Sequence, residues 1–152
     1  MITDLHHTAL FVTDLDRSLP FYTDKLGFEF VSRSDDRGGQ FMDDVCGGVE
    51  NLRVNIALVR AGGEIIELIQ ILTHDEIPTD ATERRFGIAR IGFEVEDIEG
   101  TVAKLRAHGI EFMSDIVTVA DQHYSGGKAI KFQDPDGIIL ELQQPPTPGR
   151  IT

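Results

Sequence analysis

The chain has 152 residues, 41% of them hydrophobic, and a formal net charge of −12, which leaves no basic face for phosphate contacts and excludes nucleic acid as an expected partner. The single cysteine, Cys46, excludes an intramolecular disulfide, and no stretch has the pattern of a signal peptide or a membrane-spanning run. A cytoplasmic protein of one globular unit, binding neither nucleic acid nor membrane, is the expectation.

Residues 5–12 alternate, with Leu5, His7, Ala9 and Phe11 on one face and His6, Thr8, Leu10 and Val12 on the other, which predicts a strand. Asp14 reads as a helix cap. Leu15, Leu19, Tyr22 and Leu26 then recur at helical spacing, and Gly27 is the stop in a left-handed conformation. Strands are predicted at 28–33, 52–60 and 64–71. Between the first two, Ser34-Asp35-Asp36-Arg37-Gly38-Gly39 and Cys46-Gly47-Gly48 read as a mobile loop over or beside a working face. A polar stretch carrying Pro78, Thr79 and Asp80 reads as linker. After it come a strand at 88–95, a helix at 98–108 ended by Gly109, and strands at 110–118, 127–133 and 138–143. Pro145-Pro146-Thr147-Pro148-Gly149 forms a loose tail.

The two halves repeat each other. His7-Thr8-Ala9-Leu10-Phe11-Val12-Thr13-Asp14-Leu15 matches Arg90-Ile91-Gly92-Phe93-Glu94-Val95-Glu96-Asp97-Ile98 at an offset of 83, and Gly63–Ile69 matches Gly137–Gln143 at an offset of 74. A repeat of this length is a duplicated structural module. The expected division of 1–152 is a first module (about 1–72), a linker (about 73–87), a second module (about 88–144) and a tail (145–152), each module being strand, helix and three strands.

His7-x-x-Leu10-x-Val12-x-Asp14-Leu15, Phe21-Tyr22-x-x-x-Leu26-Gly27-Phe28 and Asp134-Pro135-Asp136-Gly137-x-x-x-Glu141-Leu142 together resemble the vicinal oxygen chelate superfamily, and the resemblance covers nearly the whole chain. That superfamily includes glyoxalase I, methylmalonyl-CoA epimerase, the extradiol dioxygenases, and the fosfomycin and bleomycin resistance proteins. The resemblance implies an α+β fold of two tandem βαβββ modules whose curved sheets form a cleft with a divalent metal inside. It also implies a homodimer and no nucleotide cofactor. Carried over residue by residue, the ligand positions are His7 and Glu67 in the first half and Arg90 and Glu141 in the second. Arg90 departs from the pattern, because the family position is commonly histidine.

Glu67 lies inside Ile65-Ile66-Glu67-Leu68-Ile69 and Glu141 inside Ile138-Ile139-Leu140-Glu141-Leu142, so both carboxylates are expected where a strand is buried. A buried unpaired charge is costly, and a metal, a proton or a cationic side chain must compensate each. Two accounts stay open. Either His7, Glu67 and Glu141 hold a Zn, Ni, Co, Mn or Fe ion, or Arg90 neutralises a carboxylate and no metal is needed. Arginine has no lone pair to donate, which counts against the metal.

The expected chemistry is that of a lyase or isomerase of the glyoxalase type: Glu141 or Glu67 takes a proton next to the carbonyl of a small polar substrate, and Arg90 clamps a carboxylate or the developing oxyanion. The alternative is a metal-free protein that sequesters a small molecule. An extradiol dioxygenase is disfavoured, because arginine cannot replace its second iron-binding histidine. His123 and Tyr124 sit in a turn region from which they would reach a substrate, His74 and His108 read as solvated, and Phe11, Phe41 and Phe132 are ordinary core by pattern.

Overall fold

The sequence repeat is a repeat of strand register. In the computed structural model, which describes residues 5–45, 50–73, 88–118 and 125–147, the chain separates into two compact units, Met1–Pro78 and Thr79–Thr152. The first module contains β1 (Thr8–Phe11), α1 (Leu15–Pro20), β2 (Glu29–Arg37), α2 (Gln40–Val45), β3 (Val54–Ala61) and β4 (Glu64–Ile71). The second contains β5 (Ile91–Glu94), α3 (Ile98–Ala107), β6 (Val117–Thr118), β7 (Lys128–Gln133) and β8 (Ile139–Gln144). Each builds one four-stranded mixed sheet, in the orders β1-β4-β3-β2 and β5-β8-β7-β6, so the fold is α+β in two tandem modules. Thr8 pairs with Ile66 and Ile91 with Leu140, so the offsets of 83 and 74 carry one parallel ladder onto the other without slippage.

Local chemistry starts α1 and α3 in the same way. Asp14 is extended, and its side chain accepts from the Asp16 and Arg17 N–H groups; Asp97 does the same for Gly100. A second acceptor comes from the far strand. Leu15 N–H donates to Gln70 Oε1 at 3.1 Å and Ile98 N–H to Gln144 Oε1 at 2.8 Å, and these glutamines are equivalent at the offset of 74. The first helix is shorter than its periodicity predicts. Pro20 has no N–H for the carbonyl four residues back, and the chain continues through Phe21–Lys25 as a π-helical turn before Gly27 closes it at φ 76°.

One face of each sheet is covered by its helix. Leu10, Val12, Leu15, Tyr22, Ala57, Val59, Ile66 and Leu68 are buried there in the first module, as are Ile98, Val102, Leu105, Ile130, Phe132, Leu140 and Leu142 in the second. Phe132 is therefore core, as its pattern suggests, whereas Phe11 and Phe41 are exposed, against that expectation.

Several segments depart from the sequence reading. Residues 34–51 are not one loop, because β2 runs on to Arg37 and Gln40–Val45 is helical. The polar end of β2 is held by ion pairs rather than apolar alternation, with Arg33 on Asp16 and Asp35 and Arg53 on Asp36. Met42 of α2 packs with Leu52, Val54 and Ile69 on the sheet face away from α1. The strand expected at 110–118 shrinks to Val117–Thr118 plus one isolated pairing of Phe112 with Phe132, since Ser114 and Asp115 interrupt it with no ladder partner. Pro145, expected in a loose tail, is buried. Cys46, His74, His123, Tyr124 and residues 148–152 lie outside the described residues.

Candidate active site

The sheet face away from α1, and from α3, carries the repeated glutamate. Strand alternation turns Leu68 and Leu142 toward those helices, so Glu67 and Glu141 point the other way. Glu67 stands opposite Ala9 on β1 and Leu58 on β3, while Glu141 stands opposite Gly92 on β5 and Lys131 on β7.

In the first module His7, one residue before β1, places Nε2 3.5 Å from Glu67 Oε2. The His6 and His7 Nδ1 atoms are 2.8 Å apart, so one of the two rings carries the proton between them. The side chains of His7 and Glu67 are 42% and 21% exposed. Glu67 thus keeps water contact, contrary to the expectation that both carboxylates are buried, and needs no full-time counter-charge. Its neighbour across the ladder, Ala9, is too small to cover it.

In the second module the expectation of burial holds. The Glu141 side chain is 6% exposed, and Arg90 Nε donates to its Oε2 at 3.1 Å. Gln143 Nε2 donates to the same oxygen at 2.6 Å, and Oε1 receives no hydrogen bond from the described residues. Gly92 places no side chain against the carboxylate on the β5 side, where an added Cβ would come to 3.7 Å of Oε2. The result is a buried carboxylate fixed through one oxygen. Arg90 is itself 37% exposed, so the pair is desolvated on the glutamate side only.

Of the residues singled out from sequence, each module brings together one pair, His7 with Glu67 and Arg90 with Glu141. Gln143 was missed, although its place two residues after Glu141 on one strand puts both on one face. The place of Lys131 opposite Glu141 follows from cross-strand register, which a single sequence does not display.

The donor chemistry of the two pairs differs for a metal ion. An imidazole nitrogen and a carboxylate oxygen suit a divalent cation in the first module. In the second, a guanidinium with no lone pair already occupies Oε2, together with an amide donor, and a cation there would face the arginine charge. Within neither module do three His, Cys, Asp or Glu side chains gather among the described residues. The second pair does not fit a resident metal.

Comparison with known proteins gives a consistent result. A family model described as the Glyoxalase/Bleomycin resistance protein/Dioxygenase superfamily matches residues 4–142. A probable lactoylglutathione lyase from Synechocystis sp. is 33% identical over 141 residues, covering 92% of this chain and 94% of that protein. A 2-epi-5-epi-valiolone epimerase from Actinomyces sp. is 27% identical over 141 residues, covering 91% and 77%. The crystal structure of a glyoxalase family protein from Bacillus cereus superposes with a TM-score of 0.78 at 25% identity over 95% of each chain. The fosfomycin resistance protein FosX from Listeria monocytogenes, solved with Mn(II) and sulfate, shares the fold with a TM-score of 0.62 at 20% identity over 95% of this chain and 93% of that one.

Proposed function

The chain belongs to the glyoxalase/bleomycin resistance protein/dioxygenase superfamily, and on that premise we propose that it is a lyase or isomerase that removes a proton next to the carbonyl of a small polar substrate, with Glu141 as the base. The observation that carries this reading is the division of labour within one carboxylate. Arg90 and Gln143 hold Oε2, which fixes the carboxylate plane, while Oε1, which receives no hydrogen bond from the described residues, takes the proton. The carbonyl oxygen gains charge as the proton leaves, and the guanidinium of Arg90 stabilises it. Returning the proton to the adjacent carbon completes an isomerisation. Glu67, with His7 3.5 Å away, is the second acid–base group of the chain.

A ligand-sequestering protein is the second reading. It is favoured by the Arg90–Glu141 ion pair, since a carboxylate neutralised in this way also suits binding without turnover. Solvent exchange separates the two. The protein is incubated in D2O with the glutathione hemithioacetal of methylglyoxal and with a panel of small 2-oxo compounds, and loss of the carbon-bound proton signal is followed by NMR. Exchange above the protein-free rate on at least one compound is the result expected of the enzyme. Binding without exchange across the panel contradicts the enzyme and leaves the sequestering protein.

A further inference from the structure

We infer that Gly92 sets the size of the group that lies beside the working carboxylate, and that the substrate is a carbonyl compound whose reacting carbon bears a further carbon substituent; the inference deepens, and rests on, the reading of Glu141 as the base. Gly92 is the only strand glycine among the described residues. It costs stability relative to alanine, because glycine packs nothing against its neighbours and loses more freedom on folding. The equivalent place in the first module, opposite Glu67, holds Ala9.

A strand glycine answers to a bulge, a left-handed backbone, the close approach of another segment, or a ligand. The Ile91–Glu94 ladder runs without a register shift, so there is no bulge. The φ of Gly92 lies outside the left-handed region, and its backbone accepts a side chain. An added Cβ meets Glu141 Oε2 at 3.7 Å, an ordinary contact distance, and apart from its chain neighbours no other heavy atom of the described residues comes within 4 Å of it. Room for one carbon therefore lies beside the carboxylate, and a ligand is what remains to use it. Gly92 is exposed on an edge strand of its sheet, so that room is reached from outside.

The chemistry of the base sets what enters. Arg90 and Gln143 hold Oε2 and the proton passes to Oε1, so the carbon seated over Gly92 is not the one that reacts. It is a carbon bonded to it, in van der Waals contact with Oε2 while the adjoining C–H faces Oε1. A methyl or methylene fills the room. Alanine at position 92 would put its own methyl there instead.

The test varies ligand and residue by the same methyl group. Pyruvate and 2-oxobutyrate, each also as its methyl ester so that charge is controlled, are titrated into ¹⁵N-labelled wild type and Gly92→Ala, and the amides of Glu141 and Gln143 are followed. In the wild type 2-oxobutyrate or its ester is expected to bind at least as tightly as the pyruvate counterpart. In Gly92→Ala it weakens at least about fivefold relative to that counterpart, the lower end of the cost of forcing a methyl into filled space. The variant keeps its native amide spectrum and unfolds in urea at or above the wild-type midpoint. The inference is overturned if none of the compounds binds the wild type, if the wild type prefers the pyruvate compounds, or if Gly92→Ala weakens both ligands alike or neither. It is overturned as well if the variant loses its native spectrum or its stability, since the glycine would then be required by the fold. The two readings fail separately. Size-dependent binding with no proton exchange in D2O retires Glu141 as the base and leaves the role of Gly92, whereas exchange that is equal in wild type and Gly92→Ala on both compounds overturns the role of Gly92 and leaves the base.

Discussion

Arg90 stands to Glu141 as His7 stands to Glu67, one residue before the first strand of its module and within 3.5 Å of a glutamate on the last. The exchange of imidazole for guanidinium turns a pair of lone-pair donors into an ion pair. It also decides which carboxylate is buried, because only the one with a permanent cation beside it is stripped of water.

Removing that cation tests the relationship directly. Arg90→Met keeps the aliphatic stem but leaves a 6% exposed carboxylate without its cationic partner. Urea unfolding at pH 7 is expected to show a loss of about 1–3 kcal/mol, less than for a fully buried pair because Arg90 is more than a third exposed. Adding Glu141→Gln to that variant should recover most of the loss. Arg90→His restores a nitrogen donor, and it should melt below the wild type without metal yet bind Mn²⁺ or Zn²⁺ more tightly in calorimetric titration.

The two glutamines that reach from the last strand to the helix start form a matched pair of caps. Gln70→Ala and Gln144→Ala each strand a backbone N–H in the first helical turn, at Leu15 and Ile98. Each should cost about 0.5–2 kcal/mol in denaturant unfolding, while the Glu variants, which retain an acceptor oxygen, should cost less.

The pH dependence follows from Glu99 and Lys128, which tie α3 to β7. The Lys128 hydrogen bond holds the Glu99 carboxyl below its usual range. A folded-state pKa below the unfolded one means that the unfolded chain binds more protons, so the contribution is present above the ordinary glutamate pKa of about 4.3 and is lost as pH falls through the folded value. Melting followed from pH 7 down to pH 3 should show a smaller drop for Glu99→Gln than for the wild type.

A homodimer is the expected assembly. β2 is a nine-residue strand at the edge of its sheet, with Phe30 and Val31 exposed on it. Light scattering at micromolar concentration should give about twice the 16.9 kDa chain mass, and a species at the chain mass alone counts against the dimer.

Much of this architecture is legible in the sequence because the repeat states each module twice. Asp14 and Asp97, Gly27 and Gly109, and Glu67 and Glu141 each confirm the other, and the strand ladders follow at the same two offsets. What escaped was held by tertiary contacts. Gln40–Val45 is a helix of six residues, too short for a 3.6-residue period to show, and Met42 keeps it in place against Val54 and Ile69. The polar end of β2 shows no alternation because ion pairs with Asp16 and Arg53 hold it. At the site, the two glutamates stood out inside apolar strands, and His7 and Arg90 came from the repeat and the family resemblance. The difference in the burial of the glutamates was not legible, since Ile-Ile-Glu-Leu-Ile and Ile-Leu-Glu-Leu read as equally apolar.

The central claim is that Glu141, rather than Glu67, is the carboxylate that takes the proton. Its most direct test is the rate of solvent deuterium incorporation into a substrate found active with the wild type, compared between Glu141→Gln and Glu67→Gln under matched folding. The account predicts that Glu141→Gln lowers the exchange rate by about 10²–10⁴, the usual contribution of a positioned base, and that Glu67→Gln lowers it far less. Equal losses in the two variants, or a larger loss in Glu67→Gln, would contradict it.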